Sequence, residues 1–540
     1  MSNFSVFKNI FYFFAFSVCI AFLFELLTNV RSINPFFNAL ENLLFSFIVI
    51  TPIYFISKRK TQVVYILFAY LVFSIILYIE SVYYHLFESY FSSSVIFILL
   101  DTNISEASEF LKFYTSKPVV LFSLLMLFVV SLSFFKINKT IFQQNKSSFK
   151  SRIIVIFSSI TILIFLKFSA VIVFNFPYLL IKSFIEYTIE SNKLGDYKLN
   201  TKGNFQNVKR TENHEENEVY VIILGESSSR SHMGIYDYYR STTPMLENIK
   251  DNLLIYNDVV SPHAFSIGSI SKALTLGNYE SPSSISSGSI IQLANTSNFE
   301  TTWLSNQRPI GIYESLITKI SLSSNSQKFL TSTIARNNKV LDEDLLPELD
   351  KVLFSNEHNK KFIVVHLIGS HLNYKNRYPD TFKVFKDEPL TKFESQESFN
   401  KINQYDNAIL YTDFIASEII KKIEALNVKS FVLFLSDHGE EVYKDRNMAG
   451  HNEAIPTKDM FDIPFMLWRS DKYKHDKMLS INFDRKYMID DLFHSISDLL
   501  SISSLEVDST RSIFNRGFKD RKRIILDSVD YDTFFKQIKE

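Results

Sequence analysis

The chain has 540 residues with 57 Lys and Arg against 57 Asp and Glu, which is room for several domains and no charge excess of the kind a nucleic-acid partner attracts. That balance hides a division: apolar residues crowd the first third, charges gather afterwards, and 53 Phe suit lipid contact better than an ordinary soluble core. Cys19 is the only cysteine, so an exported domain would have no disulfide and would depend on its core alone.

Five segments, near 9–29, 36–57, 62–86, 118–136 and 153–175, reach or approach the roughly 20 apolar residues that cross a bilayer. The first is too long for a removable signal peptide and lacks a small-residue cleavage site. Nine basic residues (Lys8, Lys58, Arg59, Lys60, Lys136, Lys139, Lys146, Lys150 and Arg152) fall on one side of the spans. The opposite loops carry only Arg31, Lys112 and Lys117. The positive-inside rule then predicts a cytoplasmic N-terminus and an exterior location for everything after the fifth span. Lys167, inside the fifth span, is near enough to its outer end to snorkel.

The loop 87–117 mixes an apolar stretch with Asp101, Glu106 and Glu109. It is open to two readings, lying along the membrane surface or packing on the outer domain. Residues 177–217 begin amphipathically and become a polar linker, which suits an interfacial segment between a five-span domain at 1–176 and a domain at 218–540.

From 218 the pattern is α/β. The runs "VYVIILGE", "KFIVVHLIGSH" and "SFVLFLSDHGEE" are near-continuously apolar, as strands buried on both faces are, and each ends in ionisable residues. Because ligands of open α/β sheets bind beyond the carboxyl ends of strands, Glu226, His366 with His371, and Asp437 with His438 are predicted to converge on one edge. Carboxylates and imidazoles there suit a divalent cation. Ser266 falls near the start of the helix predicted for "SIGSISKALTL", where free amides favour a phosphoryl group.

The residues "GES", "TTP", "SPHAFS", "IGSH…NRYP", "YDNAILYTDF", "SDHGEE" and "AGHNE" occur in this order. Together they resemble the phosphoethanolamine transferases of Gram-negative envelopes, the family that includes the mobile colistin-resistance enzymes. "SPHAFS" and "SDHGEEVY…GHNE" look most like the branch acting on lipopolysaccharide core sugars. The resemblance spans the whole chain. It implies a five-helix transmembrane domain followed by an alkaline-phosphatase-like α/β domain with a mixed, mostly parallel sheet.

The resemblance also implies Ser266, in place of the family's Thr, as nucleophile, and Glu226, Ser266, Asp437 and His438 as ligands of zinc, with manganese also compatible. It carries phosphate contacts or a second metal position onto His371 and His451, and a donor pocket onto Thr102 and Glu106; the family often has Asn where this chain has Ile98. His366 is read as structural, and Tyr405 and Asp406 as packing or supporting residues. Ser227, Ser228, Ser229 and Ser231 are read as shaping the turn after the strand.

The implied reaction moves phosphoethanolamine from phosphatidylethanolamine, through a phosphoethanolamine–serine ester, to lipid A or a core sugar. It would occur at the outer face of the inner membrane, in the periplasm, by a monomer without a nucleic-acid partner. Its consequence would be weaker binding of cationic antimicrobial peptides. A phosphoglycerol transferase shares the domain plan and is the nearest alternative, which "SPHAFS" and "GHNE" disfavour. A non-catalytic scaffold is disfavoured by the joint presence of Glu226, Ser266, Asp437, His438, His371 and His451.

Overall fold

A computed structural model describes residues 3–27, 33–87, 90–91, 104–140, 148–193, 200–211, 217–307, 316–330, 340–355 and 358–537. They form two compact units, one of 1–97 with 111–187 and one of 98–110 with 188–540. Of the acidic loop, the described residues 104–110 belong with the larger unit.

The first unit contains five helices long and apolar enough to cross a membrane: Val6–Glu25, Asn34–Tyr54, Arg59–Phe87, Lys117–Ile137 and Phe149–Phe168. Aromatic rings fill the bundle, with Phe14 against Tyr70 and Phe73 at 5.0 Å each. Ser17 shares a 2.7 Å hydrogen bond with the Tyr70 hydroxyl. Outward faces keep Leu, Ile, Val and Phe side chains, among them Phe68, Leu121, Phe135 and Phe157, as lipid contact requires.

The span boundaries differ from those read off hydropathy. The first helix already begins at Asn3, because helical structure continues past the apolar run. The fifth ends at Phe168, not 175. Ala170 takes a left-handed conformation (φ 59°) there, which breaks the helix, and Val171–Phe174 forms a separate 3-10 turn. A further helix, Phe176–Lys193, follows.

The second unit is built on a seven-stranded sheet: β1 (Glu218–Gly225), β2 (Leu253–Ile255), β3 (Glu300–Ser305), β4 (Ser326–Phe329), β5 (Lys360–His366), β6 (Lys429–Ser436) and β7 (Phe465–Arg469). Their spatial order is β2-β7-β6-β1-β5-β3-β4. β6, β1, β5, β3 and β4 run parallel, whereas β7 is antiparallel to both neighbours, so the sheet is mixed and mostly parallel. β1 and β6 are buried along their whole length, the reason their sequences read as unbroken apolar runs.

Register is what positions the site. Leu224 of β1 pairs with His366 of β5, and Gly225 pairs with Ser436 of β6. The residues after that last pair, Glu226 and Asp437, therefore leave the sheet side by side.

On another part of this unit, His494 is buried, and its Nδ1 accepts the N–H of Asp508 at 3.2 Å. Burial, assisted by the nearby Arg511, pushes its imidazole down to about 3. An unfolded histidine titrates near about 6.5, so between those values the unfolded chain binds more protons. The stabilisation is fully present above the unfolded value and is lost as pH falls toward the folded one. His494→Gln is expected to flatten the acid limb of the unfolding midpoint between pH 6 and pH 4, roughly the span of that titration; an unchanged limb would refute it.

Candidate active site

The site begins with the turn after β1. Ser227 adopts φ 53°, which swings the chain off the strand. Its N–H donates to Asp437 Oδ1 at 3.1 Å, and its hydroxyl donates to Glu226 Oε1 at 2.9 Å. The N–H of Ser228 donates to the Ser436 hydroxyl at 2.9 Å. Tyr405, on the long helix Gln396–Ala425, completes the turn: it accepts the Ser229 N–H at 2.8 Å and donates to the Ser227 carbonyl at 2.7 Å. The serine cluster thus holds the backbone that presents Glu226.

Glu226, Asp437 and His438 meet within 4.8 Å of one another, all buried. His438 Nε2 lies 3.3 Å from Glu226 Oε1 and 3.6 Å from Asp437 Oδ2. Its other nitrogen, Nδ1, donates to the Gly439 carbonyl at 2.7 Å. Ser266, first residue of the helix Ser266–Ala273, donates its hydroxyl to both Glu226 oxygens at 3.0 and 3.2 Å. The four residues read from the sequence as one set do come together.

His371 follows a tight turn on the adjacent strand end. Ser370 N–H donates to the Glu226 carbonyl at 3.0 Å. Gly369 sits at φ +48°, and a Cβ there would stand 2.9 Å from the Glu226 backbone, so only glycine fits. His451 packs its ring edge-on to His438 at 4.4 Å and bonds Glu440 through Nδ1 at 2.7 Å. His438, Glu440 and His451 form a second group able to share an ion.

His366 points elsewhere, its Nδ1 facing the Ser305 hydroxyl at 3.3 Å and its ring edge-on to Trp303. Asp406 accepts Arg240 and contacts His232, a buried pairing away from the carboxylate cluster. Thr102 lies outside the described residues, as does the side chain of Glu106 on the helix Ile104–Tyr114.

The electrostatics call for positive charge at the cluster. Burial opposes ionisation of Glu226, yet His438, with His371 near it, holds its carboxyl well below the usual range. Burial and the Glu226 charge push Asp437 up to about 8. Burial disfavours His438 imidazolium, but Asp437 and Glu226 outweigh it and raise the group to about 10. His371 is driven down to about 4 by burial and so stays neutral.

Among the described residues, Asp437 Oδ2 and His438 Nε2 are buried and make no hydrogen bond. Two carboxylates, one imidazole nitrogen and a hydroxyl, all converging, are the donor set a zinc-sized cation takes. Fixing Nδ1 on a carbonyl leaves Nε2 as the ligating nitrogen. The residues fit a metal, which would displace the protons from His438 and Asp437.

A family model described as Sulfatase matches residues 218–502. The phosphoethanolamine transferase EptC of Escherichia coli (strain K12) is 30% identical over 533 residues, covering 91% of this chain and 90% of the relative. The chain belongs to the phosphoethanolamine transferase family.

The crystal structure of the C-terminal periplasmic domain of E. coli EptC, in complex with Zn, matches this transferase at 33% identity with a TM-score of 0.58. That match covers 61% of this chain and 96% of the crystallised one. The full-length fold is matched by the integral membrane lipooligosaccharide phosphoethanolamine transferase A from Neisseria meningitidis. There the TM-score is 0.65 at 20% identity, over 95% of this chain and 97% of the other.

Several residues of the transferase's site escaped the sequence reading. Gln307, beyond the end of β3, donates to Glu226 Oε2 at 2.9 Å and to the Leu367 carbonyl at 3.0 Å. A glutamine past a strand end carries no local signal. Glu440 stands inside the quoted "SDHGEE", and its bonds to His451 and to Tyr374 at 2.7 Å give it a role only once the loops are folded.

Tyr405→Phe removes both bonds to the Glu226 turn while keeping the ring. It is expected to cost about 1–3 kcal/mol from the buried groups left unpaired, read as a lowered denaturant midpoint. A midpoint equal to the parent's would show that the turn does not need Tyr405.

Proposed function

We propose that this enzyme transfers phosphoethanolamine from phosphatidylethanolamine to lipid A or a core sugar of lipopolysaccharide, by way of a phosphoethanolamine ester of Ser266. The observation that carries the proposal is Ser266 itself. Its hydroxyl is bonded to Glu226 at 3.0 Å, beside Asp437 and His438, at the first residue of a helix.

In the first half-reaction Ser266 Oγ attacks phosphorus. The Oγ–P bond forms, the P–O bond to diacylglycerol breaks, and diacylglycerol leaves with a proton. In the second, an acceptor oxygen attacks the same phosphorus, Oγ–P breaks and Ser266 regains its proton. Positioning and charge neutralisation carry most of such a reaction.

Glu226, Ser266, Asp437 and His438 would hold zinc. When bound, that metal lowers the pKa of a coordinated hydroxyl and offsets phosphoryl charge. The chain's own contributions are separate. The N-terminal amides of the Ser266–Ala273 helix face the oxygens of an entering phosphoryl group. Neutral His371 and the Glu440-oriented His451 donate or accept hydrogen bonds around it. Thr102 and Glu106 belong to the donor pocket in this reading.

The five spans tether the catalytic unit to the bilayer that supplies a lipid donor. The positive-inside distribution assigns the N-terminus to the cytoplasm and the catalytic unit to the periplasm. In this reading the functional limits are a transmembrane domain at 1–176, an interfacial segment and linker at 177–217 and a catalytic domain at 218–540. One chain carries a complete set of these residues, in keeping with a monomer.

Ser266→Ala is expected to abolish the phosphoethanolamine mass increment seen on the intact protein after incubation with donor lipid, and transfer with it. An undiminished increment would reassign the nucleophile. Chelation is expected to remove activity and the bound metal together, and zinc to restore both. Activity in a protein shown to be metal-free would overturn the metal assignment.

A further inference from the structure

Among the described residues of the membrane unit, three buried glutamates take no part in the transfer chemistry. Glu25, Glu41 and Glu80 are each no more than 1% exposed. They lie on the first, second and third spans. Ionisable residues at such positions are costly and mark ligand or ion sites rather than packing.

The glutamates are joined through amides. Asn38 donates to Glu25 at 3.0 Å, and Asn42 donates to the Asn38 side chain at 3.1 Å and to Glu80 at 2.9 Å. Glu41 and Glu80 meet at a single step of chain after the fifth span. Asn175 donates its side-chain amide to Glu41 Oε1 at 2.7 Å, and the next residue, Phe176, donates its backbone N–H to Glu80 Oε1 at 3.2 Å. With Asn42 on Oε2, both Glu80 oxygens accept an N–H, so neither is turned to a partner that would take the O–H of an acid.

The remaining oxygen, Glu41 Oε2, is buried and has no hydrogen-bond partner among the described residues. It stays unsatisfied in either protonation state, since a carboxylate needs a donor and an acid needs an acceptor. Among the described residues neither Glu41 nor Glu80 forms an ion pair with Lys, Arg or His. Among the described residues, the three glutamates do not gather their ligand atoms closely enough for one metal ion. A hydrogen-bonding organic cation matches carboxylates spaced by amides.

Depth narrows the choice. The rise from Arg59 to Glu80 along one helix is roughly 32 Å at about 1.5 Å per residue, close to the hydrocarbon thickness of roughly 30 Å. With Lys58, Arg59 and Lys60 at one interface, Glu80 reaches the headgroup level of the other leaflet.

We propose that Glu41 and Glu80, with Glu25 behind them, bind the primary ammonium of a phosphatidylethanolamine headgroup, a lipid-recognition site built from residues other than those of the Ser266 centre. An ammonium brings three N–H donors and the charge these carboxylates lack, one N–H reaching Glu41 Oε2. The assignment of this lipid rests on the donor proposed above.

Full-length protein is to be extracted from vesicles of equal phosphatidylethanolamine and phosphatidylglycerol, and from vesicles of equal phosphatidylethanolamine and phosphatidylcholine. Native mass spectrometry then counts the retained lipids. The parent is expected to retain phosphatidylethanolamine over both others. Glu41→Gln, which keeps shape and removes charge, is expected to cut that ratio at least about tenfold, as loss of a charge-assisted hydrogen bond implies. Its unfolding midpoint should be unchanged.

Glu80→Gln is the second variant should Glu41→Gln not fold. A parent without preference overturns the site, as do variants that keep the parent ratio, the result expected if only a buried water completes Glu41. So do variants that lose all lipids alike. Transfer assayed on the same samples separates the two readings: transfer without headgroup preference removes this site and leaves the donor assignment, whereas preference without transfer does the reverse.

Discussion

The pairing of Gly225 with Ser436 across two parallel strands is the contact on which the catalytic unit depends. It sends Glu226 and Asp437 off the sheet edge as neighbours, and His438 follows within reach of both. Two acids brought so close in a buried place repel each other unless positive charge joins them. The imidazolium of His438 meets that need here, and the surrounding bonds from Ser227, Gln307 and Ser266 hold the carboxylates in place. The tightness of the Gly369 turn and the left-handed Ser227 are consequences of fitting three strand ends around one charged point.

The membrane unit meets a related constraint differently. Glu25, Glu41 and Glu80 are also buried carboxyl groups, but amides and hydroxyls rather than histidines bond to them. An imidazole cluster suits a metal, and an amide-spaced carboxylate cluster suits an organic cation. Each unit thus answers the cost of buried carboxylates with the partners that its own packing supplies.

Much of the architecture was legible in advance because its causes are local. Apolar length gave five spans, and unbroken apolar strands gave a sheet covered on both faces. The fifth span was drawn too long because hydropathy continues through Val171–Phe174 while the backbone breaks at Ala170. Strand-end logic brought Glu226, His371, Asp437 and His438 together, but it placed His366 at the same edge. His366 is still inside its strand, and its side chain faces Ser305 and Trp303. Gln307, Glu440 and the contacts of Tyr405 were not legible, since each gains its role from a partner between 11 and 178 residues away.

The sequence by itself determined which segments suit lipid, which strands are buried, and which acids and histidines stand at strand ends. These follow from transfer free energies and side-chain periodicity, which need only neighbours along the chain. Tertiary structure alone decided that Gln307 reaches Glu226, that Tyr405 secures the turn, and that Glu41 shares a chain step with Glu80. Those are contacts between distant residues, and only sheet register and helix packing can fix them.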